Sequence, residues 1–253
     1  MQTHRFFIPP ETWTPDRLWL DADEAHHCID VVRAAVGQRI VVFNGRGIEA
    51  VTEIIGIGKS RVELKTLQVS HTPPLRCAIT LAQAIPKGKN MDLIVQKATE
   101  LGVAKIIPLL SERTVVQLAP DEADKRTEKW RQIIIEAGKQ CGQSWLPEIL
   151  APLTPKQFFA DFDRNDAAFI ASLQADARSF KNALCNFREQ NGKRPGNVIV
   201  LIGPEGDFTP AEAALAKSAG CLPVSLGPIV LRTETAAIYC LSVLSYELQG
   251  EET

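Results

Sequence analysis

Histidine is confined to the first part of this 253-residue chain, at His4, His26, His27 and His71. Chemistry carried by any later residue proceeds without imidazole, which excludes Ser-His-Asp and Cys-His schemes and His-bearing metal sites there. The six cysteines, Cys28, Cys77, Cys141, Cys185, Cys221 and Cys240, form no CxxC pair and show no metal-ligand spacing, so no metal site is expected. No apolar run reaches the roughly 18 residues that a membrane helix needs. The N-terminal Phe6-Phe7-Ile8 is cut short by Pro9-Pro10 and lacks a small-residue cleavage site, so no signal peptide is read. A cytoplasmic protein with reduced, mostly buried thiols is therefore expected. An excess of charge is missing too. The 28 Lys and Arg against 30 Asp and Glu exclude bulk, non-specific nucleic-acid binding, while leaving room for RNA held by a local patch. At 45% hydrophobic and 23% charged, the composition excludes disorder, collagen and coiled coil as the main architecture.

Two grammars follow one another along the chain. Residues 5 to about 70 are strand-rich: Arg39–Phe43 ends at the turn signal Asn44-Gly45, and Glu49–Ile57 and Arg61–Val69 alternate with period two. Glu24–Arg33 carries Ala25, Cys28, Ile29 and Val32 at helical spacing, which suggests a small β-barrel crossed by one helix. His71-Thr72-Pro73-Pro74 is a stiff connection, and the domain boundary is placed there, giving domains 1–72 and 73–253. After it, apolar strands alternate with amphipathic helices. Strands are expected at Cys77–Ala84, Lys105–Leu110, Ala167–Ser172, Val198–Ile202 and Cys221–Leu226, and helices from Met91 to Leu101, Glu122–Lys139 and Arg232–Leu248. Capping boxes at Thr154-Pro155-Lys156-Gln157 and Thr209-Pro210-Ala211-Glu212 start two more helices. This order implies a mostly parallel α/β sheet.

Three segments are candidates for chemistry. Leu201-Ile202-Gly203-Pro204-Glu205-Gly206-Asp207 leaves a buried strand just before a capped helix, the place where open α/β sheets bind ligands. It is neither GxGxxG nor GxxxxGK[ST], and Pro204 lacks a main-chain donor, so dinucleotide and P-loop readings lack their residues. Taken alone it also reads as a plain strand-to-helix turn. Ser225-Leu226-Gly227-Pro228 repeats the Gly-Pro turn and runs through Ile229-Val230-Leu231 into a helix bearing Arg232 and Glu234. Two such turns after neighbouring strands would wall one pocket; otherwise Arg232 and Glu234 are a surface ion pair and Thr233 a plain N-cap. Lys87 and Lys89, on a flexible strand-to-helix loop, suit a phosphate backbone or are simply solvated. Arg113, after the next strand, is a phosphate contact or an ion-pair partner.

At these motifs the chain resembles the RsmE family of SPOUT methyltransferases, which methylate N3 of a uridine in small-subunit (16S) ribosomal RNA. The resemblance runs through Arg5-Phe6-Phe7, His26-His27, Val32-Arg33, Phe43-Asn44-Gly45, Gln96–Val103, Ser111-Glu112-Arg113 and Gln140-Cys141-Gly142 to Leu201–Gly206 and Leu226–Ala236. It implies a PUA-like β-barrel joined to an α/β-knot domain whose C-terminal segment forms a trefoil knot, a feature that pattern reasoning alone would not propose. S-adenosylmethionine is implied as cofactor, held by Leu173, Ile202, Gly203, Pro204, Gly206, Ser225, Leu226, Gly227, Leu231 and Thr235. A homodimer acting on small-subunit ribosomal RNA, within an assembled 30S subunit, is implied as well. Arg5, His26, His27, Arg33 and Lys59 are the barrel's candidate RNA contacts, beside Lys87, Lys89 and Arg113; His26-His27 also reads as a packing pair. Residues 1–71 hold 8 Lys and Arg against 9 Asp and Glu, so any positive surface there is a patch.

Three departures from the family involve four positions. Asp207 stands where a third glycine is frequent, so no positive φ is expected there. Ile229 replaces a frequent arginine, and Lys139 and Gln143 replace a glutamate and an arginine. In the implied reaction the uracil N3 proton leaves as the methyl is transferred. Arg232 stabilises the resulting charge, and Glu234 or water takes the proton. The competing readings are a SPOUT enzyme acting on another nucleotide or on a ribose 2′-OH, a non-catalytic RNA-binding assembly factor, and a nucleotide-binding α/β protein.

Overall fold

The computed structural model describes residues 4–114, 119–162 and 166–250. They form two compact units, Met1–Pro74 with Ile135–Leu146, and Leu75–Ile134 with Pro147–Thr253.

The first unit is built on a curled five-stranded sheet. Its strands are β1 (Arg5–Phe7), β2 (Leu18–Asp21), β3 (Arg39–Phe43), β4 (Ile48–Ile57) and β5 (Arg61–His71), in the order β1-β3-β4-β5-β2. β1 runs parallel to β3 and the other pairs are antiparallel. Val62 and Leu64 face the core while Arg61, Glu63 and Lys65 face outward, the period-two signature of a half-buried strand. Register shifts at Val51/Thr52 and Ile54/Gly56 strengthen the twist that curls the sheet. The barrel is a half-barrel: β1 and β2 are its two edges and do not pair. Helix α1 (Ala22–His26) runs on into a π-helical turn, His27–Val31, and buries Ala25 and Cys28 among Phe6, Leu20, Ile40 and Ile54. The Asn44-Gly45 turn holds because the Asn44 carboxamide oxygen accepts from the main-chain N–H of Arg46 (2.8 Å) and Ile48 (3.1 Å).

The second unit is a seven-stranded sheet in which every pairing is parallel. In chain order it contains β6 (Ala78–Ala84), α2 (Asn90–Glu100), β7 (Lys105–Leu109), α3 (Pro120–Cys141), β8 (Glu148–Ile149), α4 (Pro155–Ala160), β9 (Ala167–Ala171), β10 (Arg178–Ser179), α5 (Phe180–Asn191), β11 (Asn197–Ile202), α6 (Pro210–Ser218), β12 (Leu222–Ser225) and α7 (Thr233–Gln249). The last turns of α3 belong to the first unit. The strand order is β10-β12-β9-β11-β6-β7-β8. The central strands are apolar because both faces are covered, and β11 is buried at five of its six positions. Both capping boxes form: Thr154 with Gln157 opens α4, and Thr209 with Glu212 opens α6.

The sequence reading needs four changes. The strands ending at Ile202 and Ser225 are not neighbours, since β9 lies between them. β10, only two residues long, and α5 are additions to that reading, although Phe180, Ala183, Leu184 and Phe187 stand at helical spacing in α5. Thr233 does not cap α7: Arg232 occupies the cap position and Thr233 is the first helical residue. Asp207 does adopt a positive φ, +60°. Its carboxylate accepts from the main-chain N–H of Phe208 at 2.7 Å, a local bond that lets Asp tolerate the left-handed conformation.

All six cysteines are free. Burial pushes Cys28 up to about 11 and Cys77, Cys221 and Cys240 up to about 12. Cys141 and Cys185 are exposed. Among the described residues no helix is long and apolar enough to cross a membrane, and no group of three or more His, Cys, Asp or Glu could hold a metal ion.

Candidate functional site

Parallel strands point their carboxyl ends the same way, so the loops that leave them converge. At the ends of β9, β11 and β12 they enclose a cavity of about 730 Å³. Ser172, Leu173 and Gln174 line it after β9; Ile202, Gly203, Pro204, Glu205 and Asp207 after β11; and Ser225 through Leu231 after β12. The opening residues of α7, Arg232, Thr233 and Glu234, close one side, and Asn90 of α2 reaches in from another. The two Gly-Pro turns thus share one pocket although β9 separates their strands, and the end of β9 supplies a third wall.

The expected cofactor residues Leu173, Ile202, Gly203, Pro204, Ser225, Leu226, Gly227 and Leu231 all line this cavity; Gly206 and Thr235 do not. Glycine is favoured at two of these positions for different reasons. A Cβ on Gly203 would lie 3.2 Å from both the Asp207 carboxylate and the Phe208 main-chain nitrogen. Gly227 has open space but a φ of +124°, which L side chains rarely adopt.

The Gly203–Phe208 loop is held from several sides. The Glu205 carboxylate accepts from the main-chain N–H of Lys87 at 2.9 Å, and the Arg113 guanidinium donates to the Gly206 carbonyl at 2.5 Å. Buried Glu212 accepts from the Ser111 hydroxyl (3.0 Å) and from the main-chain N–H of Glu112 (2.9 Å) and Thr209 (2.9 Å), so the loop after β7 is fixed to the start of α6. Satisfied bonds of this kind rigidify a polar cluster in a low-dielectric setting.

Arg232 is exposed at the cavity and has no partner among the described residues, so it is not one half of an ion pair with Glu234. Glu234 is half-buried and accepts instead from the Asn90 carboxamide at 3.3 Å. Ile229 and Val230 stand 70% and 76% exposed on the cavity wall. Sequence reasoning missed Asn90, Glu205 and Thr233. Asn90 and Glu205 stood inside segments picked out for their lysines and glycines, and nothing in the spacing marked either one.

The expected RNA residues have different surroundings. Lys87 and Lys89 are exposed on the loop after β6, whereas Arg113 is engaged with Gly206. In the first unit, Arg33 and Lys59 are exposed, and Arg33 has a φ of +55°. His26 is exposed and bonds Asp30 at 2.6 Å; His27 packs its ring edge-on to Phe6 at 5.7 Å. Arg5 is internal. It pairs with Glu49 at 3.0 Å, lies 4.8 Å from the centre of the Phe43 ring and reaches the Gln143 carbonyl at 3.4 Å. Lys139 is tied to Glu24 and Glu136. Burial of Glu24 raises its carboxyl above the ordinary value and outweighs the attraction of that lysine.

Comparison with known proteins places the chain in a family. Residues 73–245 match a family model described as an RNA methyltransferase domain, and residues 20–67 match an RNA methyltransferase PUA domain. A relative from Bacillus subtilis named ribosomal RNA small subunit methyltransferase E is 30% identical over 241 residues, covering 92% of each chain. A Legionella pneumophila methyltransferase solved with bound S-adenosylmethionine is 35% identical, covers 98% of both chains and superposes with a TM-score of 0.86. A ribosomal RNA small subunit methyltransferase E from Neisseria gonorrhoeae, also solved with S-adenosylmethionine, is 28% identical, with a TM-score of 0.84 over 97% of this chain and 98% of that one.

Proposed function

This chain belongs to the RNA methyltransferase family, and from that premise we propose that it moves a methyl group from S-adenosylmethionine to N3 of a uridine in small-subunit ribosomal RNA. The observation that carries this reading is one cavity shared by three strand-end loops, with a carboxylate and an arginine that has no partner among the described residues on its wall.

The cavity suits the cofactor. Its volume of about 730 Å³ lies inside the roughly 300–1,000 Å³ of small-molecule sites. Leu173, Ile202, Leu226 and Leu231 offer apolar surface for an adenosine, and the main chain at Gly203 and Gly227 offers polar groups with no side chain in the way. Pro204 and Ser225 also line it, while Gly206 and Thr235 lie outside the lining. When bound, the cofactor supplies a methyl group on a sulfonium, whose sulfur is a good leaving group.

The chain's own residues have three tasks. They orient the acceptor base, receive or release its proton, and stabilise the charge that develops. Neutral uracil N3 has no lone pair in the ring plane, so its proton leaves before or during transfer and negative charge spreads to O2 and O4. The free guanidinium of Arg232 donates to that charge. Glu234, oriented by Asn90, accepts the proton directly or through water. A base inside a helix cannot reach such a site, so the target uridine is unstacked and turned outward. Lys87 and Lys89 meet the RNA backbone near the cavity, and His26, His27, Arg33 and Lys59 extend the contact over a PUA-like first domain of residues 1–72. Under the same reading residues 73–253 form a knotted catalytic domain, two copies of the chain pair, and the enzyme works in the cytoplasm on assembled 30S subunits.

The test is transfer of label from S-adenosyl[methyl-³H]methionine to small ribosomal subunits from cells lacking the protein, followed by nucleoside analysis. Label recovered as 3-methyluridine is the expected result. Label in another nucleoside would contradict the N3 assignment, and cofactor binding without label would point to a different acceptor.

A further inference from the structure

The start of α7 has no side-chain cap, as at α1, α2 and α5. Arg232, at the cap position, makes no capping bond. What fastens this turn is the next residue. The Thr233 hydroxyl donates to the Gly203 carbonyl at 2.7 Å and accepts from the Gln83 carboxamide at 3.2 Å. The same Gln83 nitrogen donates to the Ala84 carbonyl at 2.8 Å. Gln83 is fully buried and Thr233 is 5% exposed. One short chain of bonds therefore ties the end of β6, the end of β11 and the first residue of α7.

Packing does not explain these two side chains. Valine would fill the space of Thr233 and leucine nearly that of Gln83, without polar atoms to satisfy. Yet the Gln83 carboxamide is kept although its oxygen has no partner among the described residues, and an unmatched buried acceptor costs about 1–3 kcal/mol. A buried polar group retained at such a cost calls for a reason. The residues on either side of Thr233 are Arg232 and Glu234, the two charged side chains that α7 presents to the cavity. Any shift of the first turn of α7 moves both.

We propose that the Gln83–Thr233–Gly203 chain is a positioning device: Thr233 sets Arg232 and Glu234 over the methyl donor, and Gln83 holds Thr233. The inference rests on reading the cavity as the methyl-donor site. The cofactor wall does not depend on Thr233 alone, because Lys87 and Arg113 hold Glu205 and Gly206 separately. Loss of the hydroxyl therefore strikes turnover and spares cofactor affinity.

Thr233→Val removes the hydroxyl and keeps the branched shape; Thr233→Ser keeps the hydroxyl. The full-length proteins are compared in labelled methyl transfer at saturating substrates, with calorimetric titration of S-adenosylmethionine and thermal melts. Thr233→Val is expected to lower kcat on the order of 10²-fold, as a misplacement of about 1 Å does. Its cofactor Kd stays within about threefold of wild type, the pattern of an interaction felt only during reaction. Thr233→Ser restores most of the rate. Gln83→Leu lowers kcat about tenfold, and the double variant is no worse than Thr233→Val, as members of one chain require. A folded Thr233→Val enzyme with wild-type kcat overturns the proposal, as does a cofactor Kd that rises in step with the loss of kcat, or a Thr233→Ser enzyme as slow as the valine variant. If Thr233→Val does not fold, Gln83→Leu decides alone, and a wild-type rate there is fatal to the idea. A wild-type protein that transfers no methyl group would instead sink the underlying reading and this inference with it; an active wild type beside an unimpaired Thr233→Val sinks the inference alone.

Discussion

Particular charged residues play different parts in the two units. In the first, the half-buried Arg5 pairs with Glu49 and Lys139 with Glu24 and Glu136, while Arg61 pairs with Asp21 on the outer face. In the second, Arg232 has no partner among the described residues, and Glu205, Arg113 and Glu212 fix the main chain around the cavity. Sheet type underlies the contrast. An antiparallel sheet with one buried face places its side chains alternately, and its turns lie apart from one another. A parallel sheet sends its loops to one edge, where main-chain groups from strands far apart in sequence meet. A cation within a motif is thus weak evidence of a ligand contact until its neighbours are known.

Four substitutions sharpen or break this contrast. The largest effect is expected from Gly203→Val. A side chain there presses on Asp207 and on the Phe208 main chain, so measurable S-adenosylmethionine binding should disappear from a protein that still folds. Wild-type affinity in a calorimetric titration would remove this cavity as the donor site. Next is Arg232→Ala, which should cut kcat by roughly 10²–10³-fold, as loss of a charge-stabilising donor does, with cofactor affinity kept. An unchanged rate would make Arg232 an ordinary surface residue. Arg5→Ala should leave the rate of the folded enzyme nearly intact and lower unfolding free energy by about 1–3 kcal/mol, because Glu49 then loses a part-buried partner. Full stability with weakened RNA binding would reverse that assignment. The smallest effect is expected from Asp207→Gly, which relieves the left-handed backbone but loses the bond to Phe208. The two terms nearly cancel, leaving a change below about 1 kcal/mol in chemical denaturation.

Much of this architecture is legible in the residues. The alternation in Arg61–Val69, the apolar run of Val198–Ile202 and the two capping boxes each name their element, because one face, both faces or one helix end imposes a local pattern. The two Gly-Pro turns also announce the cavity. Strand order is not local, and so the sequence could not say that β9 lies between β11 and β12 or that its end forms a third wall. Asp207 shows the limit of residue-type rules: a missing glycine suggested ordinary backbone, while the aspartate's own carboxylate makes the left-handed turn tolerable. Thr233 and Gln83 were illegible for the same reason as strand order. Their bond joins positions 150 residues apart, and neither residue stands out in its own segment.

The most direct test of the division between the two units is amide hydrogen exchange with and without saturating S-adenosylmethionine. The account predicts slower exchange in three stretches of the second unit, around Ser172–Gln174, Gly203–Phe208 and Ser225–Glu234, with the strands Arg39–Phe43, Ile48–Ile57 and Arg61–His71 unchanged. Protection centred on the five-stranded sheet, or none at those three stretches, would contradict it.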